Sequence, residues 1–259
     1  MAKGFFIDVQ GTLICDEKRE PISGAIEFIE RLNQQNIPYV VITNNTKIKS
    51  DEFLESLRQK GLDIQNYIDP FSLLTQMLKE KKIAAFGSTE FLDIMVSLGY
   101  ELDYENPQAL VVSIKKEYTN EDYALMIECA IKAKTCIGMH ETSIYSKDGK
   151  RYPGVGAIMQ MIQFATNKEY KVVGKPSFDF YDKAREMMGL KFEDITIISD
   201  DMIGDLLGAA KLHMKTCLVL SGKIKDTNEV LPTLKKEEYP TFMGQNMKSV
   251  LELLNKGEI

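Results

Sequence analysis

Asp8 closes the apolar run Phe5-Phe6-Ile7, and Val9-Gln10-Gly11-Thr12-Leu13 follows it. A carboxylate delivered at the C-terminal end of a buried strand can attack a substrate or hold a metal ion. Both roles suit phosphoryl transfer. An aspartate before a Gly-Thr turn can also simply shape that turn or cap a helix. Thr43-Asn44-Asn45-Thr46 follows the run Tyr39-Val40-Val41-Ile42. A hydroxyl and backbone amides at that position can cradle a phosphate, or Thr43 can serve as an ordinary N-cap. Lys175 follows Val172-Val173-Gly174 and is either a lysine delivered into a site or a surface residue after a strand. Asp200, Asp201 and Asp205 follow Ile195-Thr196-Ile197-Ile198. Three carboxylates so close together need a cation or a lysine to offset them, unless they form a solvated acidic loop.

Elements at the right places must present these groups. Ile22, Ala25, Ile26, Ile29 and Leu32 recur at helical spacing, with Ser23 as the expected N-cap. Tyr39-Val40-Val41-Ile42 reads as a strand, and Phe53, Leu54 and Leu57 as a helix closing at Gly61. Alternating strands and helices make a doubly wound sheet and put Thr43 beside Asp8 at one edge. A strand over 68–72 and a helix over 73–78 follow. The composition turns charged at 79–82, where a domain boundary is expected. A second alternating series comes next, with strands at 83–86, 109–114 and 136–139, helices at 91–98, 123–133 and 155–165, and a turn at 146–150. Strands at 170–176, 195–198 and 215–220 then return to the first sheet, with helices around Phe178, Tyr181, Ala184 and Met188 and around Met247, Val250, Leu251 and Leu254. The expected fold class is α/β: a doubly wound, mainly parallel Rossmann-like core sheet over 1–80 and 171–259. A smaller α/β domain is inserted at 81–170.

Bulk properties narrow the function. A chain of 259 residues with 44% hydrophobic and 27% charged residues can bury a substantial core. A net charge of −6 argues against a nucleic-acid partner. No apolar run approaches the roughly 18 residues of a membrane span, and the N-terminal run leads straight into Asp8, so neither a membrane segment nor a signal peptide is expected. Four cysteines without a CxxC pair read as reduced thiols of a cytoplasmic protein. With two histidines, His140 and His213, and no nucleophile-elbow serine or cysteine, a histidine triad has little to build on. The glycines around Gly154 and Gly174 match neither a dinucleotide fingerprint nor a Walker loop.

The order Asp8, Thr43, Lys175, Asp200 with Asp205 resembles the haloacid-dehalogenase-like superfamily of magnesium-dependent phosphohydrolases, over nearly the whole chain. The Thr-Asn-Asn run and the long insert resemble its class with a large α/β cap, subfamily IIA. Lys147-Asp148-Gly149, Phe164-Ala165-Thr166 and Val172-Val173-Gly174-Lys175-Pro176-Ser177 are similar to the subgroup containing phospholysine phosphohistidine inorganic pyrophosphate phosphatase. So are Asp200-Asp201, Gly204-Asp205 and Gly208-Ala209-Ala210. The resemblance implies that Asp8 is the nucleophile. It implies Mg²⁺ held by Asp8, the Gln10 backbone carbonyl and Asp200, and phosphoryl oxygens bound by Thr43, its neighbour Asn44 and Lys175. Asp205 would support Lys175 or the metal's water shell. The substrate would be a small phosphorylated compound chosen by the cap, and a homodimer through the cap is common in the class.

Two positions depart from the pattern. Gln10 stands where most of these phosphatases carry the aspartate that protonates the leaving group and activates water; the resembled subgroup also lacks it, typically having serine. A positioned acid or base is worth about 10²–10⁴ in rate, so weak action on alkyl phosphoesters is expected, with phosphoramidates, pyrophosphate and aryl phosphates less affected. The alternative is a catalytically impaired protein that binds a phosphometabolite or regulates a partner. Ser199 stands where the family usually has glycine, and the sequence assigns it no role.

Overall fold

The computed structural model describes residues 2–147 and 150–259. It divides into two compact units: Met1–Thr43, Asp51–Ile68 and Tyr181–Ile259 form one, and Asn44–Ser50 with Asp69–Phe180 the other.

Six strands make the sheet of the first unit. In spatial order they are Phe242–Gly244, Lys215–Val219, Ile195–Ser199, Gly4–Asp8, Tyr39–Ile42 and Tyr67–Ile68, and every neighbouring pair is parallel. Gly4–Asp8 and Ile195–Ser199 are buried throughout, as expected of strands covered on both faces, which read as continuous apolar runs. Numbered along the unit, the order is 6-5-4-1-2-3. The direction of winding therefore reverses between Gly4–Asp8 and Ile195–Ser199, and ligands of such sheets bind outside the C-terminal ends at the reversal. Phe6 stacks on Tyr181 with ring centroids 6.0 Å apart, and Phe5 meets Phe28 edge-on at 5.7 Å. Those aromatic pairs tie the central strand to a helix on either side, Phe178–Met188 and Ala25–Gln34.

The second unit has five parallel strands in the order Lys171–Val172, Thr135–Gly138, Ala109–Val112, Lys82–Phe86 and Glu101–Leu102. An antiparallel pair, Ile144–Lys147 with Lys150–Pro153, stands beside it in sequence. Ala84, Phe86, Leu110 and Val112 pack under Met126, Cys129 and Ala130 of the helix Asn120–Lys132 and under Ile158, Met159 and Ile162 of the helix Val155–Thr166.

Several local expectations change. Ser23 is not an N-cap: Gly24, at φ 85°, takes that position, and the Ser23 carbonyl accepts from the Lys248 amide at 2.9 Å. The strand expected over 68–72 stops at Ile68. Asp69 accepts from the Phe71 and Ser72 amides, and Pro70 at the first helical position turns the chain into the helix Pro70–Met77. The strand before Lys175 is only Lys171–Val172, and it pairs with Thr135–Gly138 of the second sheet rather than with the first. The strand Phe242–Gly244, too short to show a period, had no counterpart in the sequence reading. The turn expected at 146–150 falls partly outside the described residues, at 148 and 149; Ser146 and Lys147 end one strand and Lys150 begins the next. Among the described residues no helix is long and apolar enough to cross a membrane, and all four cysteines are free.

Candidate active site

Asp8 is the last residue of the central strand, opposite Ile42, and is 5% exposed. Among the described residues no helix starts before Ala25, so Asp8 caps none. A tight turn follows it: the Leu13 and Ile14 amides donate to the Val9 carbonyl at 2.9 and 3.0 Å, and Gly11 adopts φ 73°. This turn returns Thr12 to the strand end. The Thr12 hydroxyl donates to Asp8 Oδ2 at 3.5 Å and accepts from the Asp200 amide at 3.2 Å. One fully buried hydroxyl therefore links the two strand ends that flank the reversal. The sequence reading did not single out Thr12; its signal was its place four residues after Asp8 in a Gly-Thr turn.

Asp200 is 2% exposed. Burial first, and then the charge of Asp8, raise its pKa from the ordinary carboxylate range to about 8. The loop at 221–223 closes over it. The Lys223 amide donates to Asp200 Oδ2 at 2.6 Å, and the Ser221 hydroxyl donates to the Gly11 carbonyl at 2.7 Å. Gly11 and Gly222 face each other across this carboxylate, and a Cβ on either would collide with Asp200 Oδ2.

The acidic run after Asp200 resolves into separate pairings. Asp201 accepts from the Gly204 amide at 2.8 Å and forms an ion pair with the Lys223 ammonium. Burial alone would lower the Lys223 pKa, but Asp201, then Asp205 and Asp200, hold it above its ordinary value. Lys223 was not among the residues singled out in the sequence, since nothing in a lone Gly-Lys pair marks which carboxylate it will meet. Asp205, 4% exposed, accepts the Ser199 hydroxyl hydrogen at 2.7 Å, and the same Ser199 oxygen accepts the Asp201 amide at 3.1 Å. Ser199 thus gains a role that its sequence position did not suggest.

Thr43 is fully buried, and the helix after it begins only at Ser50, so it is not an N-cap. Its hydroxyl donates to Gln10 Oε1 at 3.0 Å. In the second unit, Lys175 is 3% exposed, so it is not a surface lysine. Both polar ends of the Asn44 amide engage the Lys175 backbone: Oδ1 accepts the Lys175 amide at 2.8 Å, and Nδ2 donates to its carbonyl at 3.3 Å.

The oxygen donors of Asp8 and Asp200 suit a hard divalent cation such as Mg²⁺. The raised pKa of Asp200 marks a place where positive charge is wanted. No three His, Cys, Asp or Glu side chains among the described residues form a metal-ligating group.

Residues 5–101 match the family model of haloacid dehalogenase-like hydrolases, and residues 172–247 match a second, HAD-hydrolase-like model. The chain belongs to the haloacid dehalogenase-like hydrolases. Within them it falls among the phosphatases of subfamily IIA. The mouse phospholysine phosphohistidine inorganic pyrophosphate phosphatase is 25% identical to this hydrolase over 268 residues, covering 98% of this chain and 96% of that protein. The acid sugar phosphatase of Staphylococcus saprophyticus is 26% identical over 261 residues, covering 98% of each. The fold of the hydrolase is similar to that of a 4-nitrophenylphosphatase from Thermotoga maritima, with a TM-score of 0.79, 23% identity and 97% of each chain covered. A p-nitrophenyl phosphatase from Archaeoglobus fulgidus gives 0.80 at 22% identity, over 97% of this chain and 98% of that one.

Proposed function

We propose that this hydrolase is a Mg²⁺-dependent phosphohydrolase of small phosphorylated compounds that works through an aspartyl-phosphate on Asp8. The observation that carries the reading is the Asp8–Thr12–Asp200 linkage at the reversal of the sheet. An Asp8 carboxylate oxygen forms the new bond to phosphorus while the bond to the leaving group breaks and its electron pair departs with that group. Water then cleaves the acyl phosphate, returning Asp8 and releasing inorganic phosphate. Bound Mg²⁺ would supply positive charge between the carboxylates and the phosphoryl oxygens; Asp8, Asp200 and the Gln10 carbonyl would hold it, with Asp205 toward its water shell. Thr43, Asn44 and Lys175 would serve the phosphoryl oxygens, Asn44 chiefly by fixing the Lys175 backbone.

Gln10 sets the substrate bias. Its amide can hydrogen-bond to a leaving group but cannot give it a proton. Phosphoramidates, pyrophosphate and aryl phosphates, whose leaving groups depart more readily, are therefore the favoured class, and alkyl phosphoesters the poor one. The inserted cap, over 81–170, would choose among them by covering the site. A cytoplasmic location and a homodimer through the cap belong to the same reading. Phe164, 90% exposed on the helix Val155–Thr166, offers such a dimer an apolar contact, and sedimentation of Phe164→Glu tests it.

A second reading draws on the hydrogen bond between Thr43 and Gln10: a protein that binds a phosphometabolite without turnover. Phosphate release from p-nitrophenyl phosphate, pyrophosphate and a phosphoramidate, with and without Mg²⁺ and with Asp8→Asn as the blank, separates the two. Turnover that needs both the metal and Asp8 supports the enzyme. Thermal stabilisation by phosphate compounds with no turnover supports the binding protein.

A further inference from the structure

The sheet of the second unit has a reversal of its own. Taken along the unit, its strands run 2-1-3-4-5, with Lys82–Phe86 first and the change of direction between it and Ala109–Val112. Open parallel sheets bind ligands outside the C-terminal ends of the strands flanking such a reversal. In the first unit that position carries Asp8 and Asp200. In the second it carries a cavity of about 260 Å³, walled by Phe86, Tyr104 and Tyr118, with Lys115, Asp122 and Leu125 also lining it.

We propose that this cavity is a second ligand site, and that it takes a small aromatic carboxylate. Its walls are rings set in place by the two flanking strand ends. The Tyr104 hydroxyl donates to the Ala85 carbonyl at 2.8 Å, and the Tyr118 hydroxyl donates to the Ser113 carbonyl at 2.8 Å. Phe86 meets Tyr104 edge-on at 5.5 Å. Ring faces and edges held in this way favour a planar aromatic guest. The volume lies just under the roughly 300–1,000 Å³ of drug-sized pockets, which fits one ring with a short substituent.

The charge at the cavity selects an anion. Lys115 Nζ lies 5.2 Å from the Tyr118 ring centroid and 3.5 Å from Asp122 Oδ2. An ammonium has three donors, so it can serve a ligand carboxylate while keeping Asp122. Asp122 is committed to the helix Asn120–Lys132: its carboxylate accepts the Thr119 amide at 2.8 Å in a capping box, where the helix N-terminus offsets its charge. Asp122 Oδ2 takes both the Thr119 amide and Lys115, and the Lys115 ammonium keeps two further donors for a ligand.

The test is fluorine NMR on the full chain with 4-fluorobenzoate, 4-fluorobenzamide and 4-fluorobenzylamine as probes. The benzoate is expected to bind wild type and Asp8→Asn alike, and about tenfold more tightly than the amide. Lys115→Met should weaken the benzoate about tenfold and leave the amide unchanged, and Leu125→Trp should block both by filling the cavity. Lys115 is partly exposed, so its variant tests charge without disturbing the core should Leu125→Trp fail to fold. The proposal is overturned if the benzoate does not bind, if Lys115→Met binds it as well as wild type, if the amine binds as tightly, or if Asp8→Asn or added inorganic phosphate abolishes binding. None of these readouts uses turnover, so the proposal stands or falls separately from the phosphatase reading.

Discussion

Thr43 gives its hydroxyl hydrogen to Gln10, Oγ1 to Oε1 at 3.0 Å. Gln10 Oε1 therefore accepts as a neutral amide carbonyl, and the amide has no proton to exchange with a leaving group. Gln10→Asp introduces a group that can exchange a proton. Turnover of alkyl phosphates should rise by about 10²–10⁴-fold, while p-nitrophenyl phosphate, with its good leaving group, should change far less. Steady-state kinetics on both substrates checks it. An equal response from both would detach Gln10 from leaving-group protonation.

Ser199→Ala removes a buried hydroxyl that serves the buried Asp205 carboxylate and the partly buried Asp201 amide. Asp205 Oδ2 loses its 2.7 Å donor and the Asp201 amide loses its 3.1 Å acceptor. Removing a buried hydroxyl that makes two hydrogen bonds costs about 1–3 kcal/mol, so a urea melt should show a loss in that range. Calorimetric titration should also show weaker Mg²⁺ binding, because Asp205 loses one of the groups that hold it. Loss of stability with Mg²⁺ affinity intact would make Ser199 purely structural.

Much of this arrangement was legible in the sequence, because buried strands announce themselves as apolar runs and their last residues are then known. Asp8, Thr43 and Asp200 could be placed at one sheet edge on that ground, and the strands bear it out. What could not be read depends on contacts distant in sequence. Thr12 meets Asp200 across 188 residues, and Lys223 meets Asp201 across 22. The two-residue strand Lys171–Val172 carries no periodicity to say which sheet it joins, so Lys175 was assigned a strand of the wrong sheet. Asp69-Pro70 carries a local helix-start signal, an N-cap aspartate before a first-turn proline, which the strand expected over 68–72 did not use.

Gly222 →Ala tests the packing around the metal-binding carboxylate proposed for this site. The added Cβ would collide with Asp200 Oδ2 and come within 2.6 Å of Gly11 Cα. Backbone on one side and a carboxylate on the other cannot both yield, and overpacking of this kind costs typically 1–3 kcal/mol, about the same as a lost buried hydrogen bond. Chemical denaturation should register that loss, and Asp8-dependent turnover should fall with it as Asp200 is displaced. Wild-type stability and activity would mean that the loop at 221–223 can move away freely.

Rising pH and Mg²⁺ should both ionise Asp200 but move the stability of the fold in opposite directions. Its pKa in the folded, metal-free chain is raised to about 8, against about 3.9 for an unperturbed aspartate. Between those values the folded chain keeps a proton that the unfolded chain has lost, so folding is favoured at the acidic end. Metal-free stability should decline as pH rises from about 4 to about 8 and level off beyond. Asp200→Asn cannot ionise, so its melting temperature should lose this component of the decline. Mg²⁺ favours the ionised carboxylate, so its stabilising effect should be small near pH 5, large near pH 8, and accompanied by proton release on binding. Melting temperatures with EDTA and with Mg²⁺ across that range check all three statements. A metal-free wild type and Asp200→Asn that change in parallel with pH would show that Asp200 is already ionised without the metal, and that its burial beside Asp8 is offset within the protein alone.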